Sequence, residues 1–197
     1  MKQAPRIRLA TALDLPEIAL LAAQAKRPVP EHDQAAIARH LSAYLSAGGN
    51  IFLASDPDGL DGFVLCRAVE PLFFAVDRSI LIDAIFVSPS QRRRGIGHAL
   101  LLAAANFAKE QNAGFVYSSP SAIDRGLHRF FASLGFAPLG GNRVVATGVL
   151  QRRLVREDPI TQGIAIRTKT RPPTTRTPID EIIAQRKRAR ESESTNA

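Results

Sequence analysis

The chain contains no tryptophan, one cysteine and one methionine. A lone cysteine, Cys66, rules out a disulfide within the chain and any zinc site built from two or four thiolates. It lies in the apolar run Gly62–Cys66 and is expected to act as a small buried hydrophobe. Two tyrosines against ten phenylalanines mean that most buried aromatic surface has no polar handle. No apolar run reaches the ~20 residues that span a bilayer, and no N-terminal segment has the pattern of a signal peptide. The expectation is a cytoplasmic protein with no membrane partner.

What is present is an ordinary globular composition. Apolar residues make up 45% of the 197 positions. That suits one domain of about 150 residues with an appendage. The formal net charge is +8. Residues 1–156 hold 18 basic and 12 acidic side chains (+6), and residues 157–197 hold 8 and 6 (+2). The basic excess favours polyanionic partners without choosing among them.

Arg6–Thr11 alternates polar and apolar residues as a half-buried strand does. Thr11 or Asp14 can cap a following helix with Leu15, Ile18, Leu21 and Ala22 on its apolar face. A second helix is expected from about Asp33 to Ala47, with Ile37, Leu41, Tyr44 and Leu45 on one side. Strands are expected at 50–55 and 62–69, joined by a turn-rich hairpin. Residues 71–78 fit neither pattern. Ile80–Val87 is nearly all apolar, as a strand buried on both faces would be. A helix follows from Gly95 to about Asn112, then a strand at 114–118, a helix at 124–134 and a strand at 143–154. The order β-α-α-β-β-β-α-β-α-β describes a mixed α/β domain around one sheet.

Beyond Arg156 the pattern collapses. Thr168–Pro178 holds threonine, proline and basic residues with nothing to bury, and reads as an extended, largely disordered linker. A short helix is expected after Pro178, with Ile179, Ile182 and Ile183 as a small apolar stripe and Arg186, Lys187, Arg188 and Arg190 beyond it. Such a tail can meet an acidic partner or nucleic acid. However, no stacking aromatics lie among its bases.

The segment with most chemistry is Val87–Leu101. It joins the buried strand to an amphipathic helix through Arg92, Arg93, Arg94, Gly95, Ile96, Gly97 and His98. Glycines admit a close-approaching ligand. The amides of a helix's first turn and its positive dipole end favour a phosphate. Three consecutive arginines add charge. The physics alone points to an anion of the pyrophosphate kind.

This segment resembles the pyrophosphate loop of the GNAT N-acetyltransferases, Arg/Gln-x-x-Gly-x-Gly/Ala. The preceding strand Ile82–Pro89 and the later run Leu127–Gly140, which ends its helix at Gly135–Phe136, are similar to the family's flanks. The resemblance covers about residues 6–156. It implies a mostly antiparallel central sheet with two splayed parallel strands and flanking helices. It also implies acetyl-CoA as co-substrate and a primary amine acceptor that attacks the thioester directly. Backbone groups of Ile85, Phe86 and Val87 would then pair with the pantetheine arm, and the amides of Arg93 to His98 would hold the pyrophosphate. Members of the family are often homodimers. A binding module with little catalysis, and an acetyltransferase associated with nucleic acid or ribosomes, stay open beside the enzyme reading.

Counting back from Gly135 and Phe136 places Phe131 where the family commonly has tyrosine and Asp124 where it has asparagine. Phe131 has no proton to give a departing thiolate. Asp124 either contacts the co-substrate or caps its helix. Asp83, a lone acid in an apolar strand on the face of Val87, is the base candidate; a structural partner for a nearby cation is the alternative. His128, one turn before Phe131, is a candidate replacement acid. Ser118 and Ser119 end the second splayed strand, where an acceptor would pass. Glu31, His32 and Asp33 lie in the loop where the family shapes its acceptor pocket.

Overall fold

A computed structural model describes residues 5–24, 34–57, 59–70, 77–120 and 124–157 of the chain, all within one compact unit. Glu31, His32, Asp33 and the tail from residue 158 onward lie outside the described residues.

Seven strands form one sheet: β1 (Arg6–Leu9), β2 (Asn50–Asp56), β3 (Gly59–Val69), β4 (Ser79–Val87), β5 (Phe115–Ser118), β6 (Ala137–Leu139) and β7 (Asn142–Ala146). Their spatial order is β1-β2-β3-β4-β5-β7-β6. Every neighbouring pair is antiparallel except β4 and β5. Five helices flank the sheet: α1 (Leu15–Ala23), α2 (Gln34–Ser46), α3 (Ile96–Glu110), α4 (Arg125–Ser133) and α5 (Thr147–Glu157). Among the described residues no helix is long and apolar enough to cross a membrane.

Period-2 alternation divides the strand side chains between two cores. On one face Leu15, Ile18 and Leu21 of α1 and Leu41 of α2 cover Ile51, Leu53 and Phe63. On the other, Leu100, Leu101 and Ala104 of α3, Phe131 of α4 and Leu150 and Leu154 of α5 cover Val64, Cys66, Ile80, Ile82, Val116 and Val145. Each fully buried Leu, Ile or Phe contributes about 1.5–3 kcal/mol. The free thiol of Cys66 belongs to this second core, as expected, and burial pushes it up to about 12.

The expected strand at 143–154 requires correction. It ends at Ala146, and Thr147 opens a helix instead. Val144 and Val145 continue the β-branched signal to the turn, but Leu150 and Leu154 recur at i, i+4 and are both buried against α3. The short strand β6 and its hairpin with β7 were not expected; their signal is the turn Gly140-Gly141 between apolar pairs.

Before α1, Asp14 rather than the helix itself uses the capping groups. Its carboxylate accepts from the Thr11 amide at 2.7 Å and the Thr11 hydroxyl at 2.9 Å. Arg8 closes on the same carboxylate through both terminal nitrogens, at 2.6 and 2.8 Å. That guanidinium holds Asp14 well below the usual carboxylate range.

Candidate active site

The parallel ladder between β4 and β5 is short. Ser79 pairs with Phe115, Ile80 with Val116, Leu81 with Tyr117 and Ile82 with Ser118, and pairing stops there. From Asp83 to Val87, β4 keeps β3 on one side and, among the described residues, has no strand partner on the other. The expected splay is therefore a fork opening after Ile82 and Ser118, with an unpaired backbone edge along Asp83–Val87. The expected backbone contributors Ile85, Phe86 and Val87 lie on that edge.

A bulge sits at the root of the fork. Leu65 of β3 pairs with Ala84 and Cys66 pairs with Ile82, so Asp83 is an extra residue on β4. A bulge bends its strand and re-aims side chains. Regular alternation would place Asp83 on the face of Val87, as the sequence implied. The extra residue breaks that parity. Ile85 and Val87 pack into the core under α3, whereas Asp83 turns to the side of α2.

There Asp83 meets two side chains. The Tyr44 hydroxyl donates to its Oδ2 at 2.9 Å, and the Arg67 Nε donates to the same oxygen at 3.1 Å. Tyr44 is placed by Gly49, whose amide donates to the Tyr44 carbonyl at 3.0 Å. A Cβ on Gly49 would lie 2.3 Å from Cε1 of the Tyr44 ring, so the ring takes the space a side chain there would fill. Burial, reinforced by Asp83, pushes the Tyr44 phenol well above its ordinary value, so it stays a proton donor at any physiological pH. Tyr44, Ala47, Leu65, Arg67, Asp83 and Ala84 line an open depression of about 480 Å³.

At the far end of the unpaired edge the chain turns sharply. Ser88 N donates to Asp61 O at 2.8 Å, and Arg92 Nε donates to the Val87 carbonyl at 3.2 Å. Arg94 bonds Gln91. Arg92, Arg93, Arg94 and Gly95 are all exposed. Arg93 and Gly95 both adopt left-handed backbone, at φ +60° and +79°. Gly95 precedes the right-handed first turn of α3, and such a reversal points successive amides to one side, the geometry of an anion nest. Among the described residues no side chain caps this helix. Its first bond runs from Ala99 to the Gly95 carbonyl at 3.0 Å, so the preceding amides of Ile96 and Gly97 have no acceptor within the helix. The Ile96 side chain is buried, so that residue offers its amide alone.

A model of the acetyltransferase (GNAT) family matches residues 17–136, more than half of the chain. The chain belongs to the GNAT acetyltransferase family.

It is 33% identical over 95 residues to a streptothricin acetyltransferase of Streptomyces lavendulae, a match covering 48% of each chain. The chain thus spans about half the length of that curated relative. Many solved structures share its fold, among them the following two. A GNAT acetyltransferase from Desulfovibrio desulfuricans superposes with a TM-score of 0.60 at 18% identity, covering 73% of this chain and 99% of its own. A ribosomal-protein-alanine N-acetyltransferase from Brucella melitensis biovar Abortus does so with 0.60 at 22% identity, covering 69% and 94%.

The remaining positions singled out from the sequence fall elsewhere in this GNAT chain. Asp124 caps α4, with Oδ1 accepting from the Leu127 amide at 2.9 Å. Phe131 is fully buried, its ring centre 4.8 Å from that of Phe136. His128 receives a hydrogen bond on Nδ1 from Arg143 Nε at 3.1 Å. With Arg125 and Arg129 it lines a separate depression of about 460 Å³ on α4. The structure therefore does not bring His128 and Asp83 together: α4 packs on the α3 face of the sheet, and Asp83 lies on the α2 face. Gly97 serves packing, because a Cβ there would lie 3.2 Å from Cζ of Phe130, whose ring also meets His98 edge-on at 5.1 Å. Ser118 is buried, and the Ser119 hydroxyl bonds Asn142.

Sequence reasoning passed over Arg67 and took Tyr44 only for a member of the α2 apolar face. A signal was present. Arg67 is the base in the apolar run of β3, and Asp83 is the acid in the apolar run of β4, its antiparallel neighbour.

Proposed function

We propose that the protein transfers an acetyl group from acetyl-CoA to a primary amine, by direct attack and without a covalent enzyme intermediate. The observation that carries this reading is the fork: an unpaired backbone edge with Asp83 at its root and an uncapped, arginine-flanked helix N-terminus at its end. In this reading the amides from Arg93 to His98 hold the pyrophosphate, and Ile85, Phe86 and Val87 offer backbone groups to the pantetheine arm. Arg92 releases the Val87 carbonyl as the arm arrives.

Asp83 accepts the proton that the acceptor ammonium must lose before it attacks. Its Oδ2 is held by Tyr44 and Arg67, and Oδ1 carries no hydrogen bond among the described residues. The two donors fix the carboxylate's direction, which positions the base. The thiolate leaves without a tyrosine, because Phe131 stands at that position. A coenzyme thiol is acidic enough to depart as its anion. His128, held by Arg143 of β7, is not given the acid's role. Residues 1–156 form the catalytic domain in this proposal, working in the cytoplasm where acetyl-CoA is made.

The test is acetyl-CoA turnover against an amine panel that includes streptothricin, with coenzyme binding measured by calorimetry. Turnover with any member, together with micromolar coenzyme affinity, supports the reading. A second reading, a coenzyme-binding module with little catalysis, is favoured by Phe131 alone. Tight binding with no turnover across the panel would select it.

A further inference from the structure

We propose that the acceptor is a free α-amino acid, recognised at both of its charges by Asp83 and Arg67. The inference rests on the acetyltransfer reading above for the identity of the site, and goes beyond it in naming the substrate class.

Among the described residues, the depression on the α2 face is bordered by one carboxylate and one guanidinium. These two groups satisfy each other only in part. Their contact uses Nε of Arg67 and Oδ2 of Asp83, 3.1 Å apart. Tyr44 adds a second donor to that same oxygen. Asp83 Oδ1 and both terminal nitrogens of Arg67 are left without partners among the described residues. Both side chains reach the surface, Arg67 at 48% exposure and Asp83 at 28%. A carboxylate oxygen and a guanidinium fork are thus offered on either side of one hydrogen bond.

A guanidinium whose terminal nitrogens are unspent is a bidentate receptor for a carboxylate. A carboxylate oxygen with free lone pairs takes an ammonium. The two receptors flank a 3.1 Å contact, so the charges they bind must themselves be close. An ammonium and a carboxylate on one carbon meet that condition. A lysine side chain of a protein does not, because its ammonium stands four methylenes from the backbone. A peptide N-terminus does not either, because its carboxylate has become an amide. A polyamine would bring its second cation against Arg67. The remaining lining, Ala47, Leu65 and Ala84, is apolar and suits a small or aliphatic side chain.

The experiment pairs each common amino acid with its carboxamide. Binding to the protein saturated with coenzyme A is followed by NMR, and acetylation is followed separately. Wild type is expected to bind small aliphatic amino acids and to prefer them to their amides roughly ten- to hundredfold, the range expected for a charged hydrogen-bonded pair. In Arg67→Gln that preference is expected to fall to about one. Arg67→Lys, which keeps the charge but loses the fork, is expected to recover part of it. If wild type binds no amino acid, or if its preference survives in Arg67→Gln, the inference is overturned. Amines acetylated equally with and without a carboxylate would overturn it and leave acetyltransfer standing. Amino acids bound through Arg67 but never acetylated would overturn their assignment as acceptor and leave only a binding site at Asp83 and Arg67.

Discussion

The Tyr44 hydroxyl on α2 and the Asp83 carboxylate on β4 lie 2.9 Å apart, although 39 residues separate them in sequence. Replacing Asp83 with Asn keeps the shape of that contact and removes the proposed proton acceptor. Turnover is expected to fall ~10²–10⁴-fold, as for loss of a general base, with coenzyme affinity nearly unchanged. Steady-state rates from pH 6 to 9 and calorimetry check this. A variant matching wild type across that range would make Asp83 a structural partner of Arg67 only.

Gly49 acts at a distance on the same pair. A methyl group there meets the Tyr44 ring at 2.3 Å, too close for any real contact. Gly49→Ala is expected to push Tyr44 off Asp83 and to lower kcat by up to ~10²-fold, as small misplacements of positioning groups do. Tyr44→Phe, which deletes the hydroxyl without moving the ring, is expected to give the milder defect. Crystal structures with rates for both variants decide the point.

The loop before α3 offers a test in which only charge changes. Gly95 has φ +79° and open space around its missing Cβ, so asparagine, which tolerates left-handed backbone, is expected to fold there. Gly95→Asp is expected to bind coenzyme A roughly tenfold or more weakly than Gly95→Asn. Equal affinities would remove the pyrophosphate from this site. Gly97 cannot serve the same purpose, since any side chain there also meets Phe130.

Asp14 gives the fold an acid-sensitive corner. Its carboxyl is depressed in the folded chain, chiefly by Arg8, so its stabilising effect is present above the unfolded carboxyl value, about 4, and is lost as pH falls below it. Asp14→Asn is expected to cost about 1 kcal/mol at pH 7, the usual scale for a cap. The difference from wild type shrinks as the pH drops below about 4. Urea unfolding at pH 7 and pH 3 measures both values.

Cys66 is fully buried and its thiol is pushed up to about 12. A thiol reagent at pH 8 is expected to leave the native protein unlabelled and to modify one group per chain once it is unfolded, matching the single cysteine. Rapid native labelling would show that this core opens.

Most of the scaffold could be read from periodicity. Ile80–Val87 and Gly95–Asn112 were expected within a residue or two of β4 and α3, because continuous burial and helical spacing both persist there. The loop before α3 was equally open to reading as a turn into a helix, since arginines and glycines cluster locally. The acceptor side was not. Its geometry depends on one unpaired residue in the β3–β4 ladder, and the alternation of Ile82–Val87 gives no sign that parity changes at Asp83. The approach of Tyr44 to Asp83 depends on where α2 crosses the sheet, a tertiary fact. The helix at Thr147–Glu157 was missed because valines at 144 and 145 speak for a strand up to its first turn.

The sheet's halves, β1–β4 and β5–β7, are bridged in the backbone by the four residue pairs from Ser79↔Phe115 to Ile82↔Ser118. Mechanically this is a zipper closed at one end, with α3 against α5 as its backing. A strand-like ligand seated along Asp83–Val87, as proposed above, is expected to add hydrogen bonds along that edge and to stiffen the joint. Amide exchange at Phe115–Ser118, slow to begin with only where the ladder holds, would then slow across both halves together. The seam proposed to admit the coenzyme is thus also a place where the molecule has rigidity to gain.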